Sequence, residues 1–344
     1  MSARLRERLH SHNSSGHVFR VAYNVSLDSL HAKRAAVIYN PVARGISKRR
    51  NLLQSTVGTL AAQGIEAHLV ATEAPGSAGL QARLQIDAGI DLIIAAGGDG
   101  TINEVASGML YTGVPLAILP GGTANVLARE MKLPRYIDHA AAQISRLEPH
   151  RIAVGRVRSA AFEQRCFLCM AGAGLDADIV SRLDLKFKAM AGKFAYYITG
   201  FSQVFRTLPE FDVLVDGAAY KASFALISRV RNYGGDLEIA RGASLLRSDF
   251  EIVLFRGTAT ARYVPYLLGA ALGRVERMSG CTVLHGSTVT CPEFPGASVF
   301  VQIDGELAGR LPATAEILPD ALTVLLPPAY VARELSMRDV SACA

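Results

Sequence analysis

Leu92-Ile93-Ile94-Ala95-Ala96 runs without a break into Gly97-Gly98-Asp99-Gly100-Thr101, and Ile102, Val105, Ala106 and Met109 follow at helical spacing. An aliphatic run, a glycine turn and an amphipathic segment in that order predict a strand, a tight turn and a helix. Glycines let the backbone approach a phosphate chain, free N–H groups at a helix start attract anions, and a carboxylate in the turn can reach a metal or a reacting hydroxyl. The stretch reads as a phosphate-handling turn with an acid in it; the alternative is ordinary strand-to-helix turn chemistry.

A second turn of the same kind follows the next apolar run, where Pro115-Leu116-Ala117-Ile118-Leu119 leads into Pro120-Gly121-Gly122-Thr123-Ala124-Asn125 and then a helix. Two such turns at successive strand ends make a cleft. Working outward, Lys33 to Glu148 alternates short aliphatic runs, such as Ala35 to Tyr39 and Ala67 to Ala71, with helical patterns. Leu53, Val57, Leu60 and Ala61 mark one helical face, and Leu80, Leu84 and Ala88 another. This alternation predicts a doubly wound α/β domain with a parallel sheet. After His150 the runs become short and rich in β-branched and aromatic residues: Phe211 to Val215, Phe224 to Val230, Phe250 to Phe255, Thr282 to Leu284 and Val299 to Ile303. They predict a mainly β domain, an antiparallel β-sandwich or a curled antiparallel sheet. Helices are expected within Ile179 to Leu208 and over Tyr263 to Leu272. The expected division is an arm over residues 1–31, the α/β domain over 32–149, the β-sandwich over 150–328, and a segment over 329–344 that packs back on the first domain or is mobile.

The chain has 344 residues, half of them hydrophobic, enough for a large core and two domains. Its net charge of +6 suits an anionic ligand or membrane surface, or simply a basic solvated surface. The lysines and arginines are dispersed and no recognition motif is present, so nucleic acid is not an expected partner. Cys166 and Cys169 form a lone CxxC with no second pair at zinc spacing, and a strand would put their thiols on opposite faces. Packing is the expected role of both, and the odd total of five cysteines points to a reducing, cytoplasmic setting. No run reaches eighteen uninterrupted apolar residues, so any membrane contact is expected from the side, at the inner face.

Together these motifs resemble the diacylglycerol kinase catalytic family, which includes bacterial lipid kinases, sphingosine kinases and ceramide kinases. The residues that carry the likeness are Tyr39-Asn40-Pro41, Thr72, Gly97 to Thr101 with Asn103-Glu104, Pro120 to Asn125, Ala171 to Ala177, Tyr233-Gly234-Gly235 and Ile303-Asp304-Gly305-Glu306. The resemblance implies an α/β nucleotide-binding domain of NAD kinase/phosphofructokinase type joined to a β-sandwich. It places ATP and Mg2+ in the cleft, with a lipid hydroxyl entering from the second domain. Asn40, Pro41, Thr72, Gly97, Gly98, Gly100, Thr101, Glu104, Gly121, Gly122, Thr123 and Asn125 are then expected at the nucleotide, Asp99 at Mg2+, and Asp304 as general base with Glu306 steering it. Phosphoryl transfer is mostly positioning and charge neutralisation, so these carboxylates carry the chemistry. The bland reading of Asp304-Gly305 is a hairpin turn. Asp176 and Asp178 follow a glycine-rich strand end and suit either helix capping or contact with a lipid head group.

The chain departs from the family pattern in three places. Val42-Ala43-Arg44 stands where Ser-Gly is frequent, with Arg44 the expected substitute phosphate contact, and Val126 and Ser77 occupy positions that are acidic in many bacterial members. Ala243 to Ser248 carries Arg247 where an acidic pair holds a structural metal in diacylglycerol-type members, so no metal is expected there and a sphingoid or ceramide acceptor stays open. Lys186 to Ile198 mixes lysines with aromatics in the manner of an interfacial helix on an anionic membrane, or of a domain helix with solvated lysines. Monomer and homodimer are both open. The competing activities are an NAD-kinase-like soluble-substrate kinase and a non-catalytic lipid-binding relative.

Overall fold

The computed structural model describes residues 34–47, 50–175, 177, 208–234, 237–259, 265–266, 269–270, 273–295 and 298–342. The expectations for the arm over residues 1–31, for Asp176 and Asp178, for Lys186 to Ile198 and for the helices within Ile179 to Leu208 lie outside these residues. Of Tyr263 to Leu272, the described residues Pro265, Tyr266, Gly269 and Ala270 are helical.

The aliphatic runs of the first half become parallel strands β1 (Arg34–Tyr39), β2 (Glu66–Ala71), β3 (Leu92–Gly97) and β4 (Leu116–Pro120), paired in the order β2-β1-β3-β4. Alternate residues of a strand face opposite ways, and here both faces are apolar. Ala35 and Val37 join Ile46 of helix α1 (Arg44–Ser47) and Leu53 and Leu60 of α2 (Arg50–Ala61) in one core. Ala36 and Ile38 join Ala78 and Ala82 of α3 (Ser77–Asp87) and Ile102 and Val105 of α4 (Asp99–Gly108) in the other. Each buried Leu or Ile contributes about 1.5–3 kcal/mol relative to leaving it in water.

Helix α3 corrects the sequence reading. Leu80 and Leu84 are 66% and 56% exposed, and Ala88 is exposed beyond the helix end, while Ala78 and Ala82 are fully buried. The cause is the close approach of α4: a Cβ on Gly79 would lie 2.7 Å from the carbonyl oxygen of Glu104. Only the small-residue face of α3 can come that near.

Two short helices, α5 (Val126–Glu130) and α6 (Ile137–Ala141), follow β4. The remaining strands are β5 (Glu148–Ser159), β6 (Phe162–Phe167), β7 (Met170–Gly174), β8 (Phe211–Val215), β9 (Ala218–Ala222), β10 (Phe224–Ser228), β11 (Asn232–Tyr233), β12 (Leu237–Glu238), β13 (Phe250–Phe255), β14 (Cys281–Gly286), β15 (Thr288–Cys291), β16 (Phe300–Ile303), β17 (Glu306–Arg310) and β18 (Ala313–Leu326). Six of them form the antiparallel sheet β14-β13-β10-β7-β16-β17. The opposing sheet is an extension of the parallel one, because β18 pairs with β4 at Val324 and Leu116 and then with β5, β15 and, through β15, β8. Phe167, Phe211, Val213, Phe250, Ile252, Val289 and Val301 fill the space between the two sheets. The expected division between residues 149 and 150 thus falls inside β5, a strand of a sheet shared by both halves.

Helix α7 (Pro328–Ala342) packs at the junction. Its Tyr330 is buried and accepts the Leu245 N–H at 3.2 Å. Its Glu334 receives a two-pronged bond from Arg231, at 2.6 and 2.7 Å, and Arg231 also reaches Glu130 of α5 through its backbone N–H at 2.8 Å and through Nη1 at 3.3 Å. Arg333 completes the cluster through Glu334 at 2.9 Å. Burial pushes the Glu130 carboxyl up from its ordinary value; at Glu334 burial pushes the same way, but the bonds from Arg231 prevail and hold it below.

Candidate active site

The two glycine turns lie against each other at the ends of β3 and β4. Gly121 N–H donates to the Gly97 carbonyl at 2.7 Å, and Gly45 N–H donates to the Gly121 carbonyl at 2.9 Å, which sets the start of α1 and Arg44 beside the second turn. A Cβ on Gly122 would stand 2.5 Å from the Gly98 Cα, so the two backbones touch where any larger residue would part them. Asn125 closes its turn on itself: Oδ1 accepts the Gly122 N–H at 2.8 Å and Nδ2 donates to the Gly122 carbonyl at 3.0 Å. Its left-handed backbone, φ 49°, suits asparagine and starts α5.

Asn40 links the end of β1 to the first turn. Its N–H donates to the Ala96 carbonyl at 3.1 Å, Nδ2 donates to Thr101 Oγ1 at 3.4 Å, and Oδ1 accepts the Val42 N–H at 3.0 Å. Thr72 stands beside it, donating its N–H to the Tyr39 carbonyl at 2.9 Å. Pro41, Arg44 and Thr123 are exposed around these turns. Glu104, expected at the nucleotide, has its carboxylate occupied elsewhere: Oε1 accepts the Gly76 N–H at 2.9 Å and Oε2 the Ala78 N–H at 3.3 Å. It caps the start of α3.

Asp99, at the first position of α4, turns toward α5, where Oδ1 accepts the Leu127 N–H at 3.3 Å. Burial raises its pKa from the ordinary 3.8, against the pull of the Leu127, Val126 and Asn125 amides.

Asp304 and Gly305 form the two-residue turn between β16 and β17, with φ of 48° and 81°. The hairpin reading is therefore right about the backbone. The side chain does more: Oδ1 accepts the N–H groups of Cys169 at 3.1 Å and Met170 at 2.9 Å, and Oδ2 accepts that of Leu168 at 3.1 Å. Three amides in a row make a small anion cradle. Burial nevertheless pushes the carboxyl up to about 7, opposed by the Met170 and Leu168 amides and aided by the negative charge of Asp99. A carboxylate with that value near neutral pH is suited to accept a proton.

This cradle escaped the sequence reading. Arg165 to Met170 looks like one apolar run, but β6 ends at Phe167, β7 begins at Met170, and the break exposes consecutive amides. Cys169 is buried in the break, and its thiol is pushed well up by burial and then by Asp304, Asp99 and Glu130. Such a thiol packs rather than reacts. Glu306, expected to steer Asp304, is turned otherwise: Oε2 pairs with Arg165 at 3.0 Å, and Oε1 lies 3.0 Å from where a Cβ on Gly100 would begin. That contact spans from the β-sandwich to the first glycine turn. A second one lies beside it, where Asn103 Nδ2 donates to the Cys166 carbonyl at 2.8 Å. Arg247, in the departing loop, pairs with Asp249 at 2.6 and 2.5 Å.

No cluster of three His, Cys, Asp or Glu side chains that could hold a metal occurs among the described residues. A magnesium ion carried in on nucleotide phosphates needs only one or two carboxylates, and Asp99, a hard oxygen donor at the first glycine turn, fits that demand.

Two family models match the chain: the diacylglycerol kinase catalytic domain over residues 34–157, and the YegS C-terminal NAD kinase beta sandwich-like domain over residues 169–326. A diacylglycerol kinase of Bacillus subtilis (strain 168) is 28% identical over 302 residues, covering 86% of this chain and 97% of that protein. A diacylglycerol kinase of Staphylococcus aureus (strain MRSA252) is 26% identical over 313 residues, covering 89% and 96%. Among solved structures, a diacylglycerol kinase from Bacillus anthracis str. Sterne matches with a TM-score of 0.71 at 25% identity, covering 87% of this chain and 99% of that one. The ordered turns, the sandwich and these matches agree, and the chain belongs to the diacylglycerol kinase catalytic-domain family as a lipid kinase.

Proposed function

We propose that the protein transfers the γ-phosphoryl group of ATP to the primary hydroxyl of a diacylglycerol-like or sphingoid/ceramide lipid. The observation that carries this reading is the Asp304 carboxylate, cradled by the Leu168, Cys169 and Met170 amides on the sandwich side, with the Glu306 of the same hairpin reaching the glycine turn of the α/β side. The phosphates lie along the bare backbone of the Gly97 to Thr101 and Gly121 to Asn125 turns, with Asn40, Thr72 and Arg44 at their edge. The acceptor hydroxyl approaches from the sandwich. As its oxygen forms a bond to the γ-phosphorus, Asp304 takes the hydroxyl proton on Oδ2, which carries one amide bond where Oδ1 carries two, and the bond to the ADP oxygen breaks, ADP keeping the electron pair. Asp99 would hold Mg2+, which would supply neutralisation of the phosphate charge.

The relatives' names favour diacylglycerol, and the Arg247–Asp249 pair in the departing loop keeps ceramide in the comparison. No helix among the described residues is long and apolar enough to cross a membrane, and lipid access by peripheral contact with an anionic cytoplasmic membrane face belongs to the same proposal. Asp176 and Asp178 are its head-group contacts, and Lys186, Lys188 and Lys193 its membrane contacts.

The test is transfer from ATP labelled in its γ-phosphate to diacylglycerol, ceramide, sphingosine, phosphatidylglycerol and NAD in parallel. Label on diacylglycerol or a sphingoid lipid supports the reading and names the acceptor. Label on NAD alone overturns it in favour of a soluble-substrate kinase, and binding of lipid without label on any acceptor overturns it in favour of a regulatory relative.

A further inference from the structure

The residues placed around the phosphates are mostly neutral or negative. Asp99 and Asp304 lie in the cleft, Glu306 reaches Gly100, and a nucleotide triphosphate adds more negative charge. Phosphoryl transfer in such a site calls for a protein cation at the phosphate, and a guanidinium with donors to spare is the fitting group.

Arg165, near the end of β6, is held beside the first turn of α4 by two cross-domain contacts. Its own partner Glu306, at 3.0 Å, faces Gly100 with its other oxygen, 3.0 Å from where a Cβ on that glycine would begin. The next residue along, Cys166, accepts the Asn103 side-chain N–H through its carbonyl. Glu306 is the hydrogen-bonding and ionic partner of Arg165 among the described residues, and the side-chain bond to it takes one of the five guanidinium N–H donors. Three residues further on, the chain enters the Leu168 to Met170 cradle of Asp304. The cation and the amides that hold the base therefore ride on the same six residues of chain.

We infer that Arg165 is a catalytic residue of this site, donated by the second domain to the terminal phosphate of the nucleotide, with Glu306 aiming it. The inference rests on the kinase reading above. Arg165 is a third exposed and Glu306 more than half exposed, so replacing Arg165 leaves the fold intact.

The test compares wild type with Arg165→Met and Arg165→Lys in three measurements: calorimetric binding of adenylyl imidodiphosphate and of AMP in magnesium buffer, kcat with a lipid that wild type phosphorylates, and thermal midpoint. Arg165→Met is expected to weaken adenylyl imidodiphosphate binding by about 10-fold or more. AMP binding and the midpoint stay unchanged, and kcat falls about 10²- to 10³-fold, with partial recovery in Arg165→Lys. Equal loss of both nucleotides, or wild-type binding and turnover in Arg165→Met, overturns it. A wild type that binds adenylyl imidodiphosphate yet phosphorylates no lipid leaves the binding comparison to decide Arg165 and counts against the acceptor assignment alone. A wild type that binds no nucleotide overturns both.

Discussion

Gly122 and Gly98 meet backbone to backbone, and that contact sets the width of the phosphate floor. Gly122→Ala is expected to cost about 1–3 kcal/mol of stability, because the added methyl forces the two turns apart. The same displacement raises KM for ATP about 10-fold or more and leaves KM for lipid unchanged, as steady-state kinetics with each substrate varied in turn will read. Asp304 makes a separate prediction about stability. Its folded pKa, about 7, lies above the ordinary 3.8, so the folded chain holds this proton more tightly than the unfolded chain. Its contribution is therefore full below 3.8 and lost as pH rises to about 7. Urea midpoints across that window should fall with pH more steeply in wild type than in Asp304→Asn; parallel curves would contradict the assignment. At this scale the turns that carry Asp99 and Asp304 were legible, because glycines flank each acid in the sequence. The direction of Glu104 was not legible, because a carboxylate next to a glycine turn says nothing about which way it points; here it points to the Gly76 and Ala78 amides. Arg165 was unread because its partner Glu306 is 141 residues away.

Helix α3 shows what a pattern of apolar spacing conceals. Leu80 and Leu84 repeat every four residues, and so do Ala78, Ala82 and Ile86; side-chain size favoured the leucines, yet the close contact at Gly79 selects the alanines. Ala82→Leu is expected to cost about 1–3 kcal/mol, whereas Leu84→Gln should change stability by no more than about 0.5 kcal/mol. Urea unfolding of the two variants checks both, and the opposite ranking would restore the leucine face. Strand–turn–helix units at β3 and β4 were readable because aliphatic runs and glycines follow one another locally. The break between β6 and β7 was not, since Leu168 and Cys169 are as apolar as the strands beside them and only the carboxylate of Asp304, brought from far along the chain, explains why their amides turn inward.

Across the whole molecule the two halves share more than a hinge. Strand β18 continues the parallel sheet, and Arg231 joins Glu130 of the second turn's helix to Glu334 of the C-terminal helix. Two glutamates and two arginines balance in charge, but removing one member strands the others: Glu334→Gln should cost about 3–5 kcal/mol. A urea midpoint unchanged from wild type would remove the cluster from the account. The α/β class was legible from the alternation of aliphatic runs with helical patterns and the β-sandwich from short runs rich in β-branched and aromatic residues, while the shared sheet and the buried cluster depend on pairings that no local window contains. The central claim is that these halves bring Asp304 to the reacting hydroxyl as its base. It is tested most directly by the pH dependence of kcat/KM for the phosphorylated lipid in wild type and Asp304→Asn. The account predicts a wild-type rate that rises with pH through about 7 and then levels, and a variant slower by about 10²- to 10⁴-fold that lacks this limb. A variant that keeps both the rate and the limb would contradict it.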